Sequence, residues 1–409
     1  MSRRSPIPIR SIVAVLVALV GCTHAAGGVP PTPVARDPGS GSPSAGATPA
    51  SPVPLPDRAL PPAYLAWQHD GLAPGLEPKL ARLAGVERAV EVAGDTAWMV
   101  RSANASGHTV DSAPAPFLIP IETQAVAPRS FAPFLPPASR NAVVAALQRG
   151  SGVLGATSAK LRHLRVGGSV TFEGGVTVRI GAVVPDVAVN WAELLVPRRL
   201  GRRLGVVHDR FALLEYRRAP ADGAVARQIQ PLVDPSQPLR IQGPGEPEFR
   251  RYADSVWPPV LMKVGFGEFA ARPDPAHPGY LLMDPAFVRA HLTTRAVPLL
   301  GAVTCNTKVF DALDSAMREL LRRGLASLIH GFAGCYSPRM VLRVPTAPIS
   351  HHAWGAAVDI NAAQNPFGAK PDQDPRLVEA MRRNGFTWGG LWTLPDGMHF
   401  EYRVPGVGT

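Results

Sequence analysis

Hydrophobic positions along the 409-residue chain change character three times. Positions 12–20 form an unbroken apolar run behind Arg3, Arg4 and Arg10. The run is too short to span a bilayer and reads as an export signal. From about 27 to 56 large apolar side chains almost vanish, and Pro, Ser, Gly and Ala dominate. Such a segment cannot bury enough surface to offset its ordering entropy, which predicts a disordered tether. Beyond it, short periodic patterns resume and continue to the end.

In the first periodic stretch, Ser139 is expected to cap a short helix over 141–147, with Val143, Val144 and Leu147 on one face. Val170 and Phe172 alternate with polar neighbours, Glu173-Gly174-Gly175 supplies turn residues, and Val176, Val178 and Ile180 resume the alternation, predicting a hairpin. Gly243-Pro244-Gly245-Glu246-Pro247 marks a boundary. Past it, 260–269 has strand-like alternation, and Asp284-Pro285 reads as an N-cap followed by proline at the first helical position. An amphipathic helix over 308–323 would bury Val309, Leu313, Met317 and Leu320. In another, Asp374 caps, Pro375 starts, Leu377, Val378 and Met381 face inward and Gly385 ends the helix. Stretches 356–361 and 398–402 have strand character. The expected fold is α+β: a signal peptide (1–22), a disordered linker (23–58), a mixed α/β extracytoplasmic module without a cluster of catalytic residue types (59–242), and a domain with a small antiparallel sheet and flanking helices (243–409).

The formal charge of +11 would permit a nucleic-acid partner. Export argues against one, because outside the membrane the abundant polyanions are wall polymers and lipid headgroups. The densest cluster, Arg198, Arg199, Arg202 and Arg203, reads as a solvated face. Leu19-Val20-Gly21-Cys22 resembles a bacterial lipobox, which implies acylation of Cys22 and an anchor on the outer face of the bacterial membrane; an ordinary cleaved signal is the alternative. If Cys22 carries lipid, Cys305 and Cys335 remain as an even pair in an oxidising compartment. A bridge between them would close a loop of about thirty residues, worth roughly 3 kcal/mol in loop entropy. Two buried thiols are the other reading.

The candidate chemistry lies near the C-terminus. Ser350-His351-His352-Ala353-Trp354-Gly355-Ala356-Ala357-Val358-Asp359, followed by Asp396-Gly397-Met398-His399, holds two imidazoles and a carboxylate. That set binds zinc at three corners and leaves a fourth for water, as catalytic sites do. Gly355 permits a tight turn after His352, and Ala356 and Ala357 let the next strand approach.

The pattern Ser350, His352, Gly355, Ala357, Asp359 resembles the signature of the VanY-like D-alanyl-D-alanine carboxypeptidase and L-alanyl-D-glutamate endopeptidase family. The likeness extends over about 263–402 and includes Gly334-Cys335-Tyr336-Ser337-Pro338-Arg339, Gly385-Phe386-Thr387-Trp388-Gly389-Gly390 and Pro395-Asp396-Gly397-Met398-His399-Phe400-Glu401. The resemblance implies one zinc ion held by His352, Asp359 and His399, with His351 as a competitor for His352 or as its support. It implies Asp396 as general base and then acid. Glu401, expected on the same strand face as His399, is the internal rival. The carboxypeptidase branch usually carries glutamate at the position of Asp396, whereas aspartate is similar to phage-type endopeptidases. Arg339 matches the arginine of the upstream motif and would bind a substrate carboxylate or the oxyanion. Ser350 and Trp388 are further candidate peptide contacts; Trp354, Trp388 and Trp392 could together line a groove for the peptide, the alternative reading being core or rim packing. His163, His208, His277, His291 and His330 fall into no ligand spacing.

Separately, 152–184 resembles the extracytoplasmic domains of bacterial ABC-type permeases. The expected function is a lipid-anchored zinc peptidase hydrolysing peptidoglycan stem peptides, with protein partners unspecified. The alternatives are a non-catalytic wall-binding lipoprotein that keeps a peptidase-like metal site, and a zinc amidohydrolase for a small molecule.

Overall fold

The computed structural model describes residues 60–408 except 247, 253 and 255. The export signal, Cys22 and the whole linker over 23–58 lie outside the described residues. Among the described residues no helix is long and apolar enough to cross a membrane.

Ten strands, all before residue 243, build one sheet: β1 (Tyr64–Trp67), β2 (Val86–Ala103), β3 (Thr109–Ser112), β4 (Ile119–Val126), β5 (Gly152–Gly155), β6 (Ser169–Phe172), β7 (Thr177–Val184), β8 (Leu194–Pro197), β9 (Asp209–Tyr216) and β10 (Arg240–Gln242). Their order is β10-β1-β9-β2-β4-β8-β5-β7-β6, and β3 pairs with β2. The 18-residue strand β2 organises the sheet. Its first half pairs with β9, its middle with β4, and its end with β3 and β6. Because β6 returns to β2, the path β2-β4-β8-β5-β7-β6 closes into a ring. A closed ring leaves those strands without bare hydrogen-bonding edges. Met99, Ile121, Phe172, Val178, Ile180 and Leu194 pack together in its core.

The expected hairpin is β6 and β7, with Val170 opposite Val178 and positive φ at Gly174 and Gly175. The expected helix over 141–147 is longer, Pro137–Gln148, and Ser139 lies buried inside it rather than at its cap. Pro137 explains the earlier start, since its fixed φ and missing N–H suit the first helical turn.

Two hairpins, β11 (Ala271–Pro273) with β12 (Leu281–Met283) and β13 (Leu292–Val297) with β14 (Gly301–Asn306), lead to a four-stranded sheet. Its strands are β15 (Phe332–Gly334), β16 (Ala357–Ile360), β17 (Phe386–Trp388) and β18 (His399–Tyr402), ordered β15-β16-β18-β17 and all antiparallel. Helices Phe310–Arg322 and Pro375–Arg383 bury Leu313, Met317, Leu320, Leu377 and Met381 in the core that also holds Phe400. Asp374 and Asp284 cap their helices as expected, accepting from Arg376 N at 2.8 Å and Ala286 N at 2.9 Å. The fold is therefore α+β, with small sheets and helices at this end of the chain.

A second expectation fails as well. Residues 259–266 form a helix, Pro259–Phe266, not a strand. Pro259 sits at the first helical position, and most of the helix is buried, so it has no polar stripe to reveal its 3.6-residue period. Its Lys263 is 3% exposed and joins the four-stranded-sheet region to the barrel. The ammonium lies 2.8 Å from Glu193 and 3.0 Å from Glu268, and donates to the Pro120 carbonyl at 2.6 Å. Arg162 pairs with Asp111 at 2.9 Å and with Glu268, and Arg251 pairs with Glu122. Each of these buried charges has a counter-charge, the condition under which burial is tolerated.

Candidate metal centre

Strand register builds the site. Asp359 on β16 stands directly opposite His399 on β18, and Ala357 stands opposite Glu401. Directly opposed residues on adjacent antiparallel strands share a face, so Asp359 and His399 meet without any further device. His352 arrives from the 3-10 turn His351–Trp354. Ser350 caps that turn, its hydroxyl accepting from His352 N at 3.4 Å. Gly355 ends it at φ 64°, where a Cβ would lie 2.7 Å from the backbone nitrogen of Asn306. Both the left-handed backbone and this contact require glycine.

His352, Asp359 and His399 each offer a donor atom, and these atoms lie within 4.8 Å of one another, so the trio can hold a metal ion. Nε2 of His352 is 3.2 Å from Nδ1 of His399 and 3.2 Å from Oδ2 of Asp359, while Nδ1 of His399 is 3.1 Å from Oδ1 of Asp359.

The opposite ring nitrogens identify the tautomers. Nδ1 of His352 lies 2.7 Å from the Cys335 carbonyl, which can only accept, so Nδ1 carries the hydrogen and Nε2 is the atom that could serve as a ligand. Nε2 of His399 donates to Glu401 Oε1 at 3.1 Å, which leaves Nδ1 for the metal. Glu401 also lies 2.9 Å from Nδ1 of buried His351. His351 thus supports His399 through Glu401 rather than supporting its neighbour His352. The chain fixes the carbonyl on the His352 side covalently as well, because Cys335 is disulfide-bonded to Cys305 with a Cα separation of 5.5 Å.

Burial alone would raise the carboxyl pKa of Asp359 and Glu401. The adjacent imidazoles outweigh burial and hold both well below the usual carboxylate range. Burial would lower the pKa of His399, but its hydrogen bonds to Asp359 and Glu401 raise it to about 10. Without a metal, the proton held by the His399 ring offsets negative charge in the pocket, which is the charge balance a divalent cation would replace.

Asp396 lies at the mouth of this cluster. Its chain nitrogen donates to Gly389 O at 3.0 Å, and its carbonyl accepts from His399 N at 3.1 Å. A Cβ on Gly389 would come within 2.8 Å of the Asp396 carbonyl, so the close approach again depends on a glycine. Burial raises the Asp396 pKa, with neighbouring Asp359 adding to the rise and the imidazoles opposing it. One of its oxygens, Oδ1, is buried without a hydrogen-bond partner among the described residues.

Arg339 lines the same cleft. No carboxylate of the described residues lies within ion-pair distance of it; burial lowers its pKa while the more distant Asp359 and Asp396 oppose that shift. Ser350 also lines the cleft, whereas Trp388 does not. The Trp388 indole donates to the Gly397 carbonyl at 2.9 Å and stacks on Phe400 at 6.4 Å, so it holds the turn before His399. Trp392, open between groove and packing in the sequence, is the tryptophan beside the metal ligands, 5.3 Å from the His399 ring and in the cleft wall. Trp354 is fully buried. The Cys335 carbonyl had no signature in the sequence, since main-chain acceptors carry none.

Residues 344–402 match the family model described as D-alanyl-D-alanine carboxypeptidase. The matched span contains His352, Asp359, Asp396, His399 and Glu401, and the match supports a peptidase. No curated protein matches the chain. Among solved structures, the periplasmic region of MacB from Actinobacillus actinomycetemcomitans is similar at 12% identity, covering 44% of this chain and 88% of its own, with a TM-score of 0.29. The extracellular domain of the noncanonic ABC-type transporter YknZ from Gram-positive bacteria is similar at 10% identity, covering 44% of this chain and 100% of its own, with a TM-score of 0.30.

Proposed function

We propose that this protein is a zinc peptidase that hydrolyses amide bonds in peptidoglycan stem peptides. The observation that carries the reading is the spacing of the three donors. Donors bound at about 2.0–2.1 Å around a tetrahedral zinc stand roughly 3.3 Å apart. Here the contacts within the trio are 3.1, 3.2 and 3.2 Å, the two to Asp359 made to its different oxygens, and the outer nitrogen of each ring has a hydrogen-bond acceptor, so loss of the inner proton frees the converging nitrogen. Once bound, zinc supplies Lewis acidity, polarising a scissile carbonyl and acidifying water.

The chain's own groups do the rest. Asp396 takes the proton from the attacking water and returns it to the leaving amine, and its raised pKa makes it the better base. Glu401, already committed to His399 and His351, orients the ligands instead. Arg339, with no carboxylate of the described residues at ion-pair distance, binds the substrate carboxylate or the developing oxyanion. Substrates with D-residues follow from the family likeness, and the bond cut is D-Ala-D-Ala or L-Ala-D-Glu.

In the same reading Cys22 carries lipid, 23–58 tether the enzyme to the outer face of the membrane, and 59–242 and 243–409 are its two folded domains. The disulfide supports an oxidising compartment. The test is mass spectrometry of muropeptides incubated with the purified protein. Cleavage that is lost on chelation, regained with zinc and absent from Asp396→Asn is expected. An unchanged muropeptide profile with the zinc-loaded parent would overturn the proposal.

A further inference from the structure

The metal cluster opens into a cleft of about 820 Å³, near the upper end of the roughly 300–1,000 Å³ typical of small-molecule sites. A terminal dipeptide occupies only a small part of such a space. The cleft does not stay within the four-stranded-sheet region. Its far wall is made by Trp67, His69, Asp70, His208 and Arg210, which belong to the barrel region of the chain or its extension.

That wall is fixed in place. Arg210 is held by Asp95 at 2.7 Å and itself donates to the Thr346 carbonyl at 2.6 Å, across to the segment that leads into Ser350. Asp254 pairs with Arg240 of β10 at 3.3 Å and accepts from the Thr393 hydroxyl at 3.0 Å, next to Trp392. At the far end, the His69 ring sits 5.5 Å from Phe367, closing the cleft between the two regions. Together with the buried Lys263 and Arg162 pairs, these contacts make the barrel a built wall rather than a loosely attached neighbour.

Two features of this wall suit a polar chain. His69 and His208 are each held through Nδ1 by a carboxylate at 2.8 Å, Asp70 and Asp95 respectively. Each therefore keeps its Nε2 available to a ligand, and neither ring is fully buried. Aromatic Trp67, Tyr252 and Trp392 supply apolar surface between them and the metal ligands.

We infer that the barrel region forms the distal subsites of the peptidase, with His69 and His208 binding the part of an extended stem peptide remote from the bond that is cut. The inference rests on the proposed function and deepens it: the preferred substrate is a stem peptide of several residues, and the large sheet determines that preference.

The test compares two substrates, an acetylated tripeptide ending in D-Ala-D-Ala or its L-Ala-D-Glu counterpart, whichever bond the parent cuts, and a stem pentapeptide containing the same bond. His69→Ala, His208→Ala and the double variant are assayed on both, with zinc content and melting temperature recorded. The expected result is kcat/KM on the pentapeptide lowered about tenfold in the double variant, mainly through KM, with the tripeptide unchanged within about twofold; loss of uniform binding has that signature. Equal losses on both substrates, or none on either, would overturn the inference while leaving the peptidase reading intact. If the parent cuts neither, calorimetric titration with the pentapeptide decides: binding weakened tenfold by the double variant supports the distal subsites, and no binding, or equal binding, rejects them.

Discussion

At the scale of single residues, Asp396 and Glu401 are two carboxylates near one ligand with different surroundings. Glu401 faces two imidazoles with its Oε1, whereas Asp396 keeps a buried oxygen without a partner among the described residues. Glu401→Gln should therefore weaken zinc binding by about tenfold or more, as loss of an orienting partner does, and excess zinc should restore turnover. Asp396→Asn should keep its zinc and lose about 10²–10⁴-fold in kcat. Metal titration beside steady-state kinetics separates the two, and the reverse pattern would exchange their roles. Protons compete for the same pocket. Because His399 is raised to about 10 in the metal-free fold, its protonation contributes stability fully below its ordinary pKa near 6.5, and that contribution is lost as pH rises through about 10. Thermal melts of the chelated protein should fall between pH 7 and 10, and the increment from buffered zinc should grow over the same range. Much of this was legible, since His352, Asp359 and His399 come straight from the motif. The role of His351 was not, because support passing through a third side chain depends on register that spacing alone does not report.

At the scale of elements, caps were the most readable signals. Asp374 and Pro375 start one helix and Gly385, at φ 87°, follows its end, because local hydrogen bonding and backbone sterics suffice to set such boundaries. The helix Pro259–Phe266 was misread because burial on nearly every side erases the polar stripe that distinguishes periods. The disulfide acts at this scale. It spans 30 residues and ties β14 to the residue whose carbonyl orients His352. Replacing both cysteines with alanine should cost about 3–4 kcal/mol by loop entropy. Zinc affinity should fall with it, because the carbonyl loses its tether. Denaturant melts with and without zinc measure both effects, and an unchanged affinity would show that backbone pairing alone holds Cys335.

At the scale of the molecule, the barrel closure lay beyond sequence reading, since the β2–β6 pairing depends on how a long strand bends. So did the junction around Lys263, whose partners are widely separated in the chain. Lys263→Met leaves Glu193, fully buried and already raised in pKa by burial, without its nearest cation. A loss of about 3–5 kcal/mol is expected in equilibrium unfolding, with peptide turnover lowered as the cleft wall loosens. A variant as stable as the parent would show that Arg162 and water suffice. The opposed placement of Asp359 and His399 has one more consequence. These two candidate ligands are aligned by neighbouring backbones, so their meeting is set by the ladder itself and not by the length of the excursion from 361 to 398, which serves instead to bring in Asp396 and Trp392. A slip of the ladder by a single step would turn one of the pair to the other side of the sheet and take the trio apart.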